Sequence, residues 1–426
     1  MTLLKTRSAE DVPALRRQAV DAATLAAAAG IVEDVRQRGE AGLRAQGLRL
    51  GDIGPDDPLL IGKAEMQAAL EALPSDQRQA LQRCADRITA FAQAQRAALP
   101  DVEVPVPGGA AGVRYAPVHR AGCYAPGGRF PLPSSVLMTA LTAKAAGVAE
   151  VWVASPRPAP ATLAAAAVAG ADKVLAVGGA QAIAALAFGA GPMPSCDAIV
   201  GPGNRWVTAA KQLVAGQVRI DMLAGPSELV VLADDGADAE RVAADLLAQA
   251  EHDPDALPIL VSTSAGLVAR TEAALARQLD TLPTAGIARE ALKNGFAVVC
   301  DLDAAITVCD RLAPEHLALH LADPQAAQDR LQHYGALFVG EHAAEVLGDY
   351  AAGPNHVLPT GGTARSVGAL SVLTFLRAQT WLRVDDPAAG AVVARDAVVV
   401  ARMEGLEAHA RAAELRARAS EDPLPR

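Results

Sequence analysis

The fold is decided between residues 151 and 236. There VWVAS (151–155), VLAVGGAQ (174–181), AIVGPGN (198–204) and LVVLADDG (229–236) stand among alanine-rich segments. Each is a short apolar run that breaks off into Gly, Pro or Asp. That pattern predicts parallel strands covered on both faces by helices, with functional loops at their carboxyl ends. A second series of runs follows at 259–262, 297–300, 317–321 and 336–339, again with helical stretches between them. Two α/β layers of similar plan are expected.

Outward from this centre the patterns change. Residues 22–38 and 63–99 carry apolar side chains at three- and four-residue spacing and predict helices, with Pro74-Ser75-Asp76 interrupting the second. Residues 105–117 are extended and Pro/Gly-rich, as in a connector. After residue 371 the strand signal stops, and 372–426 read as helices ending in a basic, alanine-rich segment. Such a tail must pack on its own chain or reach across a dimer.

Composition removes several classes of function. The chain has 426 residues, a formal net charge of −10 and 3% aromatic residues. An acidic surface disfavours a polyanionic partner, and few aromatics leave little stacking surface for single-stranded nucleic acid. No apolar stretch is long enough to span a bilayer, and the N-terminus lacks a secretory h-region. The five cysteines, Cys84, Cys123, Cys196, Cys300 and Cys309, are widely spaced with no C-x-x-C pair. A reduced, cytoplasmic protein with cysteines in packing roles is expected.

The motifs with chemical content are few. No G-x-G-x-x-G follows a strand, so the usual dinucleotide fingerprint is absent. Three Gly-rich loops remain, at Tyr124–Gly128, Gly178–Gln181 and Gly201–Asn204, where backbone N–H groups can approach one bound ligand. Among eight histidines, three have rich settings. Gln249 and His252 are three apart at the end of a predicted helix and share one face. Glu315 and His316 are adjacent after Pro314. Asp349 and His356 lie in one Gly/Pro-rich stretch. From side-chain chemistry alone, His252, Asp349 and one further histidine are candidates for a zinc site. Gln249, a neutral amide, is not expected there, and scattered unconnected polar residues remain the alternative.

Taken together, CYAPGGRFPLPSSVLMTA, VGGAQAIAALAFG, GPGN, DMLAGPSELVVLAD, LLAQAEHDPDA, APEHL, GDYAAGPNHVLPTGGTAR and EGLEAHA occur in this order. Together they resemble the histidinol dehydrogenase family, from about residue 20 to about residue 415. The resemblance implies two Rossmann-like α/β domains with helical N- and C-terminal extensions. It implies an enzyme that uses one Zn2+ per subunit and two NAD in turn to oxidise an amino alcohol to an amino acid through a bound aldehyde. The implied zinc ligands are Gln249, His252, Asp349 and His409, with His409 supplied by the other subunit of an intertwined homodimer. The implied acid–base pair is Glu315 and His316, and the implied NAD contacts are Tyr124, Gln181 and Asn204. Substrate contacts fall on Ser227, Gln249, His252, His316, Asp349, His356, Glu404 and His409.

The corresponding division is 1–20 as an N-terminal extension and 121–228 as the NAD-binding α/β domain. Residues 21–120 with 229–371 form the α/β domain of the acid–base and metal residues, and 372–426 the dimerisation arm. Arg129 and Ser366 depart from the commonest family pattern. Related enzymes on this scaffold oxidise other alcohols, such as a sulfopropanediol, and keep the zinc and acid–base residues. A paralogue of that kind is the alternative reading.

Overall fold

The computed structural model describes residues 2–15, 18–127 and 131–418. Arg129 and the end of the basic tail lie outside the described residues. The chain forms two units, Met1–Ala94 with Val118–Phe375, and Gln95–Pro117 with Leu376–Arg426.

The first unit holds two six-stranded sheets. One runs Lys5–Arg7, Phe296–Val299, Leu257–Ser262, Glu228–Ala233, His316–His320, Ala336–Val339, all parallel. The other runs Leu60–Ile61, Lys173–Leu175, Glu150–Ala154, Arg120–Tyr124, Ala198–Val200, Arg219–Ile220, parallel except for its first pair. The apolar runs become strands because both faces are covered: every residue of Glu228–Ala233 and Leu257–Ser262 is buried. Alanine suits the covering helices, since small side chains let a helix be enclosed on most sides. Ala180 to Ala187 within Gly179–Phe188 are all buried. Helix starts are fixed by side-chain caps, Asp238 on Glu240 N–H, Ser264 on Leu267 N–H and Asp301 on Ala304 N–H.

The parallel α/β class is as expected, but the segment boundaries are not. Residues 1–20 do not stand apart: Leu4 is buried and Lys5–Arg7 pairs with Phe296–Val299 as an edge strand. Residues 22–72 do not join 229–371. Ala28, Val32, Val35 and Leu43 from helices Ala22–Arg38 and Glu40–Arg49 pack with Leu175, Ile183 and Val214 of the other sheet's layer. Their apolar stripe fits the alanine face of helices Gly179–Phe188 and Arg205–Val214.

The second unit corrects two further expectations. The 105–117 connector is a hairpin of Val102–Val106 and Gly109–Pro117, and the arm read as all-helical contains, after the short helix Val372–Phe375, the strand Leu376–Val384, which completes a three-stranded antiparallel sheet. Gly109 is required at the start of the central strand of this sheet, because a Cβ there would lie 1.9 Å from the Arg383 carbonyl oxygen. Helices Pro387–Met403 and Glu407–Arg418 then pack on each other.

Candidate active site

In the sheet centred on Glu228–Ala233 the candidate residues gather at the amino ends of the strands. Leu229 is in register with His316, so Ser227 and Glu228 on one strand lie beside Glu315 and His316 on the next. The turn that delivers this pair is strained: Ala313 sits at φ +47°, a left-handed conformation costly for a residue with a Cβ, and Pro314 follows. Gly335 N–H donates to the Pro314 carbonyl at 2.9 Å, and Ala336 N–H to that of Glu315 at 2.8 Å, holding the turn in place.

Both members of the pair are buried and oriented. Glu315 Oε2 accepts from Ser227 Oγ and from Glu228 N–H at 2.9 Å. Burial raises the Glu315 pKa above the ordinary carboxyl range, against the opposing pull of His316 and these two donors. His316 Nδ1 lies 3.1 Å from the Glu228 carbonyl, which can only accept, so Nδ1 carries the proton of that bond. The nitrogen left for substrate chemistry is Nε2, 3.7 Å from Asp349 Oδ1. Phe338 stacks against the ring at 6.0 Å. Burial disfavours the imidazolium, but the carboxylates of Glu345, Glu315 and Asp349 outweigh it and push the pKa up to about 10.

A short helix, Glu345–Tyr350, brings two acids over the pair. Gly348 lets it approach: a Cβ there would lie 2.7 Å from the Phe338 ring. His252, Glu345 and Asp349 offer ligand atoms all within 4.8 Å of one another. Burial raises Glu345 to about 8 despite His316, whereas Asp349 is lowered because its hydrogen bond with His316 and that ring's charge outweigh its burial. Gln249, on helix Ala239–Ala250 against which this short helix packs, is fully buried, and both its amide atoms lack a hydrogen-bond partner. A buried amide in that state costs about 1–3 kcal/mol. The donor set of His252, Glu345 and Asp349, with its excess of buried carboxylate, fits a divalent metal ion.

His356 is held at the edge of this cluster. Its Nδ1 donates to the Asp349 carbonyl at 2.9 Å and its Nε2 faces Ser135 Oγ at 3.3 Å. Burial lowers its pKa, so the ring is neutral and the Ser135 hydroxyl is the donor to Nε2. Glu404 and His409 belong to the second unit, where both are exposed.

The expected NAD contacts lie at the carboxyl ends of the other sheet. Its strand order reverses at Arg120–Tyr124, between Glu150–Ala154 and Ala198–Val200, which makes a topological switch point beside the Tyr124 and Gly201 loops. Gly201, at φ +116°, lies so close that a Cβ would meet the Tyr124 carbonyl oxygen at 2.1 Å. Asn204 caps helix Arg205–Val214 through Trp206 and Val207 N–H. Tyr124 is buried and its hydroxyl accepts from Gly179 N–H at 3.2 Å. Gln181 Nε2 donates to Asp52 at 2.9 Å, while its buried Oε1 has no partner. Sequence reasoning missed Asp52, Ser135, Glu228 and Glu345. The signal for Glu345 was its place four residues before Asp349, on one face of a helix.

Known proteins match this chain over nearly its whole length. The family model described as histidinol dehydrogenase matches residues 15–417. A histidinol dehydrogenase of Thermus thermophilus is 47% identical over 390 residues, covering 91% of this chain and 93% of its own. One from Parasynechococcus marenigrum is 46% identical, covering 89% and 88%. The crystal structure of histidinol dehydrogenase from Elizabethkingia anophelis superposes with a TM-score of 0.93 at 30% identity, covering 99% of this chain and all of that one. The chain, with its buried Glu–His pair at the head of the central strands, therefore belongs to the histidinol dehydrogenase family of oxidoreductases.

Proposed function

We propose that this protein oxidises L-histidinol to L-histidine through bound L-histidinaldehyde, as the last step of histidine biosynthesis. Gln249, His252 and Asp349 would hold zinc together with His409 from a second subunit, and Tyr124, Gln181 and Asn204 would hold NAD. The bound groups supply Lewis acidity toward the alcohol oxygen and two successive hydride acceptors. The observation that carries the reading is the fixed tautomer of His316. Its Nδ1–H is committed to the Glu228 carbonyl, so Nε2 is the atom that takes the hydroxyl proton. A cation beside Asp349 offsets the carboxylates around His316 and favours its neutral, basic form.

Glu315 is assigned to the second half of the reaction, taking a proton from the water that adds to the aldehyde. Ser227 and Glu228 N–H hold its Oε2 and keep the carboxyl oriented. Burial of Glu315, His316 and Glu345 excludes bulk water and retains the aldehyde. Ser227 and His356 would frame the substrate.

The homodimer is supported by the surface of the second unit. Helices Pro387–Met403 and Glu407–Arg418 leave Val399 59%, Met403 81% and Leu415 69% exposed, more apolar surface than a helical pair normally shows to water. In that dimer Glu404 and His409 of one copy would serve the substrate and metal of the other. No helix among the described residues is long and apolar enough to cross a membrane, and we place the enzyme in the cytoplasm.

The test is product stoichiometry. Zinc-loaded protein supplied with NAD and L-histidinol should form two NADH per substrate. Absence of NADH with metal content confirmed would refute the reading. Turnover of a sulfopropanediol in place of histidinol would replace it with the paralogue.

A further inference from the structure

We propose that Lys211 and Asp221 are a buried positioning pair that fixes the Gly201–Asn204 loop for the dinucleotide and ties it to the segment bearing Ser227. The proposal rests on the reading that this loop borders the NAD site.

The pair is the most enclosed ion pair among the described residues, with side chains 3% and 0% exposed. Its geometry converges on one residue. Lys211 Nζ donates to the Gly201 carbonyl at 3.0 Å, and Asp221 Oδ2 accepts from Gly201 N–H at 2.7 Å. Lys211 and Asp221 also pair directly. Both backbone groups of Gly201 are thus held by side chains, at the residue that ends the strand Ala198–Val200, takes up φ +116° and presses on the Tyr124 carbonyl. Such a backbone conformation needs outside support, because glycine itself prefers no single φ/ψ region.

The same two residues lead toward the catalytic pair. Asp221 Oδ1 accepts from Met222 N–H at 2.7 Å. Thr208, one turn before Lys211 on the same helix, donates to the Ala224 carbonyl at 3.0 Å. Gly225 N–H donates to Thr360 Oγ1 at 2.6 Å, and Ser227 then reaches Glu315. Seven residues therefore join the charge that holds the cofactor loop to the hydroxyl that holds the general base. Burying two charges is an inefficient way to gain stability, since an apolar pair of like volume often serves as well. Fixing a loop between two sites does need directed bonds.

The experiment uses full-length, zinc-loaded enzyme. Lys211→Met/Asp221→Leu removes the bonds without stranding a charge. Lys211→Met/Asp221→Asn keeps one oxygen for Gly201 N–H. Dissociation constants for NAD are measured by calorimetric titration without L-histidinol, alongside zinc content and thermal midpoint. The Met/Leu variant should bind NAD at least about tenfold more weakly with zinc content unchanged, and the Met/Asn variant should recover part of that loss, about 1.4 kcal/mol per tenfold. A purely structural role would lower the midpoint and leave NAD affinity alone. Wild-type affinity in a folded Met/Leu variant overturns the proposal. Should that variant not fold, wild-type affinity in Met/Asn overturns it. Tyr124→Phe and Gln181→Ala separate the two readings. If they weaken NAD binding and the pair variants do not, only the pair's role fails. If they leave NAD binding unchanged, the assigned site fails and the pair's role with it.

Discussion

Gln249→Met should make the metal-free protein more stable and lose most or all of that advantage when zinc is bound. In the structure both amide atoms of Gln249 are buried without a partner. Leaving such a group unpaired costs about 1–3 kcal/mol, and methionine fills a similar volume without a strong polar group. The variant should therefore gain about 1–3 kcal/mol over wild type when zinc is chelated. Replacing even a residue behind a metal ligand weakens metal binding about 10–100-fold, and a direct ligand should cost no less. With zinc in excess, a hundredfold loss of affinity removes about 2.7 kcal/mol of metal-linked stabilisation. Zinc thus cancels most or all of the advantage that the variant holds in chelator. Urea unfolding of both proteins, once in chelator and once in excess zinc, reads this directly. A chelated variant less stable than chelated wild type would refute the unsatisfied-amide argument, and unchanged zinc affinity would remove Gln249 from the metal.

The other expectations follow from the division of labour at the site. His316→Asn should retain zinc and lose about 10²–10⁴-fold in oxidation of the alcohol, measured by metal content and single-turnover NADH formation. Glu315→Gln should slow oxidation of supplied aldehyde more than that of supplied alcohol, and equal losses would contradict the separate roles. Ser227→Ala removes a donor that lowers the Glu315 pKa against its burial. The pKa should rise, and because the base works unprotonated, the acid limb of the aldehyde-step pH profile should move to higher pH. Ending the chain after Met403 should abolish zinc binding, since His409 is lost, and full zinc content in the truncated protein would show that it is no ligand.

What could be read in the sequence followed from burial. The strands of the two sheets are short apolar runs because both faces are covered, and they stand out for that reason. The strand Leu376–Val384 does not: all but its first and sixth residues are exposed, so no apolar run or alternation marks it, and only pairing with Gly109–Pro117 makes it a strand. Glu345 was hidden differently. Its helix is six residues long, contains Gly348 and runs into Gly353-Pro354, so the stretch reads as loop and the i, i+4 relation to Asp349 goes unseen. The adjacency of Glu315 and His316 was visible, but their position at the amino end of a strand was not. Loops at carboxyl ends are where α/β sheets usually bind ligands.

That position has an electrostatic reason. In a parallel α/β layer each helix starts near a strand's carboxyl end and returns toward the amino end. Helix amino termini favour anions and helix carboxyl termini favour cations. The loops we assign to NAD stand where helices Gly179–Phe188 and Arg205–Val214 begin, the end suited to a pyrophosphate. Gln249 and His252 stand where helix Ala239–Ala250 finishes, the end suited to a metal ion, and that end faces the heads of the strands bearing Ser227 and His316. An enzyme that needs a cation and a dinucleotide at one substrate cannot easily take both from the same edge of one sheet. Two sheets, one used at its amino edge and the other at its carboxyl edge, supply both signs. This predicts that replacing the neutral imidazole at the finish of that helix with a carboxylate, by His252→Glu, lowers the preference for zinc over harder divalent ions rather than abolishing metal binding. Competition between zinc and manganese, followed by metal analysis, would test it, and an unchanged preference would argue against His252 as a ligand.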